Sequence, residues 1–253
     1  MNVQQLPGNV IYIEDAIPLH KEFLDALEAN DSNESIHSVI PPWQDWMDGY
    51  EVDGVWTPKF LRGKLKQIDW DYEINDKNDH WPRKHVGPLY SEAHKESHEI
   101  LKMIDEPYKK ALDVWCEITG NKKLEWVTKN YTIKRYDTGQ MIASHTDRDT
   151  DHDRNSFDWT ALIYLNDDYT GGDLSFDDLG YKLSPKAGSI VFFSSDERHS
   201  AEMVATGNKY FIFLYIQSKY GFSHSIGENS SDLVQRIKGV PRVSTGPDPL
   251  KGY

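Results

Sequence analysis

Residues 209–216 read KYFIFLYI, from Lys209 to Ile216. Alternate side chains of a strand point to opposite faces. Lys209, Phe211, Phe213 and Tyr215 therefore share one face, and Tyr210, Ile212, Leu214 and Ile216 the other. Both faces are apolar, the pattern of a strand buried between two layers. Its lysine points into an interior lined by aromatics, where a charge costs free energy unless it meets an anion. Alternatively, Lys209 snorkels to water from the start of the strand; the pattern leaves both open.

Upstream, LEWVTKNYTIKRY (124–136), SFDWTALIYLND (156–167), GDLSFDD (172–178) and GSIVFFSS (188–195) are also strand-like, separated by Gly, Asp, Asn and Pro turns. Short strands at close spacing without intervening helices imply an antiparallel sandwich or barrel. Earlier still, VIYI (10–13) reads as a buried strand. IPLHKEFLDALEAN (17–30) reads as a helix with Pro18 at its start and an apolar stripe of Leu19, Phe23, Leu24 and Leu27. A second helix is expected within residues 88–121, where Ile100, Leu101, Ile104, Tyr108, Leu112 and Trp115 fall at helical spacing. Residues 38–82 are Trp- and Pro-rich with little periodicity, and read as an irregular cover or lid. The tail from 218 to 253 is rich in Pro and Gly.

The 253 residues suit a single domain with a substantial interior. Within it, 1–123 is expected to be helical support plus the Trp-rich region, 124–217 the core, and 218–253 a tail. With 28 basic against 41 acidic residues the net charge is −13, which disfavours nucleic acid and anionic membranes as partners. The one cysteine, Cys116, excludes an intrachain disulfide and reads as a buried thiol on a helix. No basic and apolar leader opens the chain, and no apolar run reaches the about 20 residues of a membrane span. A cytoplasmic location is the expectation.

The stretch SHTDRDTDHDRN, Ser144–Asn155, concentrates possible ligands. Asp147, Asp149 and Asp151 fit the first positions of a calcium loop. That loop then needs Gly where His152 stands, Glu where Asp158 stands, and helical flanks. A transition-metal reading survives instead. His145 and Asp147 are two apart on a strand and face one point, and His199 can join them from another strand 54 residues on. Two histidines and one carboxylate form the facial triad of non-haem Fe(II) oxygenases. His152 and the rest of 149–155 read as a charged loop. Tyr164 shares a face with Thr160 and Leu162, and its hydroxyl needs a partner if buried.

RYDTGQMIASHTD (135–147), TALIYLNDDYTGGDLSF (160–176), PKAGSIVFF (185–193) and RHSAEMVATGNKYFIFLYI (198–216) resemble, in order and spacing, the 2-oxoglutarate- and Fe(II)-dependent dioxygenases of the prolyl 4-hydroxylase type. VIYIEDAIPLHKEFLDAL, at the start of the chain, is similar to that family's strand–helix entry. The resemblance implies a mainly β fold with supporting helices (α+β), built on a double-stranded β-helix, the cupin-like jelly roll. It implies His145, Asp147 and His199 as Fe(II) ligands. Lys209 and Tyr164 would hold the C5 carboxylate of 2-oxoglutarate, and Tyr136 would reach the co-substrate. Gly171 and Gly172 would serve a tight turn. Many members carry a tyrosine three residues before the first metal histidine, whereas this chain has Ile142.

The implied activity is hydroxylation of a C–H bond with O2, with ascorbate as a reductant. The first expected substrate is a prolyl residue in a peptide or protein; a free amino acid or other small molecule is the alternative. The nucleic-acid demethylating branch fits less well, given the net charge and a lysine at the anion site. A different class, a non-catalytic jelly-roll binding protein, is disfavoured by the intact triad plus Lys209.

Overall fold

A computed structural model describes residues 1–31, 40, 42–52, 55–68, 92–123, 126–148 and 158–218. The strand opened on above, β14 (Lys209–Ser218), sits inside an eight-stranded sheet. Its neighbours are β7 (Trp159–Tyr164) and β5 (Trp126–Tyr136), both antiparallel to it. Beyond β7 the sheet continues through β11 (Ile190–Ser194) and β2 (Val10–Glu14) to the edge strand β1 (Asn2–Leu6). Beyond β5 it continues through β4 (Val55–Ile68) to β3 (Gln44–Val52). The second sheet holds β10 (Tyr181–Leu183), β9 (Leu174–Phe176), β12 (His199–Ala201) and β6 (Ile142–His145), in that spatial order. A short pair, β8 (Thr170–Gly171) with β13 (Val204–Thr206), completes the strands. The two sheets face each other as an open jelly roll, in keeping with the expected fold class.

The two faces of the large sheet have separate tasks. Ile212, Leu214 and Ile216 of β14 pack with Ile163, Phe192, Ile11 and Ile13 against the helices. The helices are α1 (His20–Ala29), which contributes Phe23 and Leu27, and α2 (Glu92–Thr119), which contributes Ile104, Tyr108, Leu112 and Trp115. Trp115 lies 5.8 Å from Phe192 in a stacked pair and 5.2 Å from Trp159 edge-on. Full burial of each such side chain contributes about 1.5–3 kcal/mol. The opposite face carries Phe211, Phe213, Leu162, Tyr164, Tyr136 and Phe193 toward Leu174, Phe176 and Ala201 of the small sheet. Cys116 is buried on α2, and burial pushes its thiol up to about 11.

Three details differ from the sequence reading. Within 38–82, β3 and β4 form a long hairpin rather than irregular cover; residues 69–82 lie outside the described residues. Register shifts between Trp46 and Met47 and between Asp48 and Gly49 break the alternation, so the period of two never shows in the sequence. The N-terminal region adds strands to both edges of the large sheet as well as helices; β1 escapes notice because NVQQL is a polar edge. Leu19 caps the start of α1 and is exposed instead of joining its apolar stripe. The tail 219–253 and the loop 149–157, including His152, lie outside the described residues. Among the described residues no helix is long and apolar enough to cross a membrane.

Ile212 is central and fully buried. Ile212→Ala is expected to lower stability by about 2–5 kcal/mol. Leu19→Ala should stay within about 0.5 kcal/mol, with both read from urea unfolding midpoints.

Candidate active site

β6 and β12 are antiparallel neighbours, and their register sets His145 directly opposite His199. The imidazole centroids are 4.4 Å apart. Asp147 follows just beyond β6. Its backbone N–H and that of Arg148 both donate to the Ser195 carbonyl at 3.0 Å, which ties this segment to the end of β11. The Asp147 carboxylate lies 3.5 Å from His145 Nε2 through Oδ1 and 3.6 Å from His199 Nε2 through Oδ2. The ligand atoms of all three residues fall within 4.8 Å of one another.

Each ring is oriented through its other nitrogen. His145 Nδ1 is 2.9 Å from the Ala143 carbonyl, and His199 Nδ1 is 2.9 Å from the Glu197 carbonyl. With Nδ1–H donating to these carbonyls, both Nε2 lone pairs are left to a metal. The Thr160 hydroxyl donates to Asp147 Oδ2 at 2.6 Å and is 3.2 Å from Ser195 Oγ.

Burial by itself raises the Asp147 carboxyl, but the two imidazoles facing it and the hydrogen bond from Thr160 outweigh it and hold the group below the usual aspartate value. Burial pushes the His199 imidazole down, against the pull of Asp147. Carboxylate and neutral imidazole are the forms that bind metal. The donor set of two nitrogens and one oxygen suits Fe(II). The His145 side chain is 32% exposed against 5% for Asp147 and His199, so the site opens on the His145 side.

Lys209 is 1% exposed, so it does not snorkel. Its ammonium donates to the Gly172 carbonyl and lies 5.2 Å from the Tyr164 ring centre. Burial pushes it down to about 7, with Asp173 acting in the opposite sense. Gly172 has φ +70, and a Cβ there would meet Lys209 Cδ and Val204 Cγ2 at 3.3 Å; only glycine brings this turn so close. Tyr136 pairs in register with Lys209, and Tyr164 with Phe211. Both tyrosines are buried on the inner face, and burial raises both phenols. Ile142 belongs to the same inner cluster.

The structure thus gathers the triad at one end of the inner face and Lys209, Tyr164 and Tyr136 further along it. Two contributors escape the sequence reading. Thr160 reveals its role only when Asp147 folds onto it. Lys134 had a signal, since Thr132, Lys134 and Tyr136 alternate on one face. Its ammonium lies 4.1 Å from the Trp46 ring centre and 4.3 Å from that of Phe213.

Residues 131–217 match the family model of the 2OG-Fe(II) oxygenase superfamily, a span that runs from within β5 to Gln217 of β14 and contains His145, Asp147, His199, Lys209, Tyr164 and Tyr136. The likeness to that superfamily is carried by this segment, about a third of the chain. Among solved structures, the oxygenase fold is shared with a prolyl hydroxylase from Trichoplax adhaerens, in complex with a hypoxia inducible factor oxygen degradation domain peptide fragment. The TM-score is 0.55 at 16% identity, covering 87% of this chain and 88% of that one. A Pseudomonas putida prolyl-4-hydroxylase aligns with TM-score 0.49 at 18% identity over 83% of this chain and 93% of the other. A viral collagen prolyl hydroxylase from Paramecium Bursaria Chlorella virus-1 aligns with TM-score 0.48 at 16% identity over 82% and 94%. No curated protein matches the chain.

Thr160→Val removes the donor to Asp147 and keeps the shape. Affinity for Fe(II), titrated anaerobically, is expected to fall about 10- to 100-fold with the far-UV circular dichroism unchanged.

Proposed function

We propose that the protein is an Fe(II)- and 2-oxoglutarate-dependent hydroxylase that acts on a prolyl residue in a peptide or protein. The observation that carries the oxygenase reading is the convergence of His145, Asp147 and His199 on one inner face that also holds a buried lysine at a different strand end. The prolyl assignment draws on the motif resemblance and on the peptide in the Trichoplax adhaerens neighbour.

In this reading His145 and His199 hold the metal through Nε2, and Asp147 through its carboxylate. Lys209 and Tyr164 take the C5 carboxylate of 2-oxoglutarate, while Tyr136 reaches the same molecule from β5. Fe(II), with 2-oxoglutarate and O2, supplies when bound the oxidising power that places a hydroxyl on a C–H bond and leaves succinate and CO2. Ascorbate serves as the reductant that keeps the iron ferrous. The chain's own part is positional. The Ala143 and Glu197 carbonyls fix the imidazoles, Thr160 fixes Asp147, and the aromatic inner face excludes water.

Anaerobic addition of Fe(II) and 2-oxoglutarate should give a weak visible charge-transfer band that His145→Ala lacks. Under O2, proline-containing peptides should gain the mass of one oxygen on proline, dependent on 2-oxoglutarate. A wild-type protein with no band and no 2-oxoglutarate turnover sinks the enzymatic reading. The band together with no modified proline sinks only the prolyl assignment.

Lys209 supplies a test of different sign. Its folded-state value of about 7 lies below the usual about 10.4 of a free lysine. Its charge therefore destabilises the free protein fully below pH about 7, and the penalty fades as pH rises toward about 10.4. Lys209→Met is expected to raise Tm more at pH 6 than at pH 9. It should also abolish the Tm increase that 2-oxoglutarate with Mn(II) gives wild type, both read by scanning fluorimetry.

A further inference from the structure

Lys134 lies on β5 between Thr132 and Tyr136 and shares their inward face. Its ammonium lies over Trp46 of β3 on one side and Phe213 of β14 on the other. The residue is part-buried, and Arg62 of β4 reaches the same indole at 5.6 Å. In register it stands opposite Phe211 of β14, which stands opposite Tyr164 of β7, so it belongs to the inner face that carries the triad, and its charge acts on Asp147 and His199. Burial pushes the ammonium down to about 8, with Arg62 pressing the same way and Asp147 opposing.

A lysine ammonium has three donors and no acceptor capacity. Among the described residues, no side chain or carbonyl accepts a hydrogen bond from Lys134, and no carboxylate pairs with it. The two rings attract the cation through their π faces but leave its donors unused. Asp147 is already engaged by His145, His199 and Thr160.

The charge balance points the same way and rests on the oxygenase reading above. Fe(II) and Lys209 together offset Asp147 and the two carboxylates of 2-oxoglutarate. The positive charge of Lys134 is then left over on the face that carries the triad, in a chain whose overall charge is −13. A leftover cation there selects a small anionic group, and a polyanion would still meet the acidic surface.

We propose that Lys134 is a specificity-determining residue that binds a carboxylate of the primary substrate, with Trp46 and Phe213 packing against the apolar part beside it. The carboxylate has two sources, the α-carboxylate of a free amino acid or an acidic side chain next to the target residue in a peptide.

The test is isothermal titration of the full chain loaded with Mn(II) and 2-oxoglutarate, using matched pairs of probes. L-proline against L-prolinamide reports the free amino acid. Acetyl-Pro-Glu-amide against acetyl-Pro-Gln-amide reports the acidic side chain. Wild type is expected to bind the carboxylate member of one pair about tenfold or more tightly than the amide, as a charge-assisted hydrogen bond implies. The responding pair names the source. Lys134→Met keeps the aliphatic stem between the two rings and should bring that ratio to about one, with 2-oxoglutarate affinity unchanged; this would show the preference to be lost through the charge. Equal binding within both pairs in wild type overturns the proposal. So does a Lys134→Met protein that keeps the carboxylate preference, or one that loses 2-oxoglutarate affinity, since the lysine would then serve the co-substrate. Failure of 2-oxoglutarate to bind wild type sinks the oxygenase reading and this inference with it. Normal 2-oxoglutarate binding without a carboxylate preference sinks the inference alone.

Discussion

Strand β14 has to satisfy two apolar environments at once, and that constraint fixes the rest of the molecule. Ile212, Leu214 and Ile216 are held by the helices, so Phe211, Phe213 and Tyr215 have no choice but the interior between the sheets. A slip of one residue would expose both sets to the wrong layer. Lys209, in phase with the inner set, is thereby forced into a dry environment that it would not otherwise occupy. The same phase runs through β7, where Thr160, Leu162 and Tyr164 face inward and Ala161 and Ile163 face the helices. Register, set by ordinary burial, carries Thr160 to Asp147 and Tyr164 to Lys209.

The small sheet answers to a different requirement. β6 and β12 are short, and neither buries enough to be held by apolar contact alone. Their pairing leaves two imidazoles side by side, tilted by 46°, next to one carboxylate. Backbone carbonyls two residues upstream hold both Nδ1 atoms, Ala143 from β6 itself and Glu197 from the turn that leads into β12. Asp147 is oriented from the other sheet, by Thr160 and by the Ser195 carbonyl that receives its N–H. The candidate metal centre is thus a joint between the sheets.

Much of this was legible in the residues. Period-two alternation in KYFIFLYI and TALIY announces strands buried on both faces. Asp147, expected on one strand with His145, instead lies just past the end of β6 and is held to the site by the Ser195 carbonyl and the Thr160 hydroxyl. The helical spacing from Ile100 to Trp115 announces the brace. What stayed hidden has physical causes. The β3–β4 hairpin is bulged, so its alternation changes phase partway and the segment reads as irregular. β1 is a polar edge strand held by backbone pairing to β2, which leaves no apolar signature. Thr160 is chemically bland until tertiary contact brings a carboxylate to it. Lys134 could have been found by extending the phase of Tyr136 back two residues, once Tyr136 was placed inside.

Lys209 and Lys134 show how one inner face can hold two cations for different ends. Lys209 is held against the Gly172 carbonyl in a tight turn whose φ of +70 favours glycine, so its position is set before any ligand arrives. A preset donor suits a co-substrate of invariant shape, because no ordering is needed on binding. Among the described residues Lys134 is held by the Trp46 and Phe213 rings, which restrain the stem and leave the ammonium's direction free. That suits a partner whose carboxylate sits at a less fixed distance from the reacting carbon. Part of its wall, Trp46 and Arg62, comes from the bulged hairpin, while the triad comes from β6, β12 and the turn after β6. Substrate choice can therefore be altered at the hairpin and at Lys134 without disturbing the register that builds the metal site.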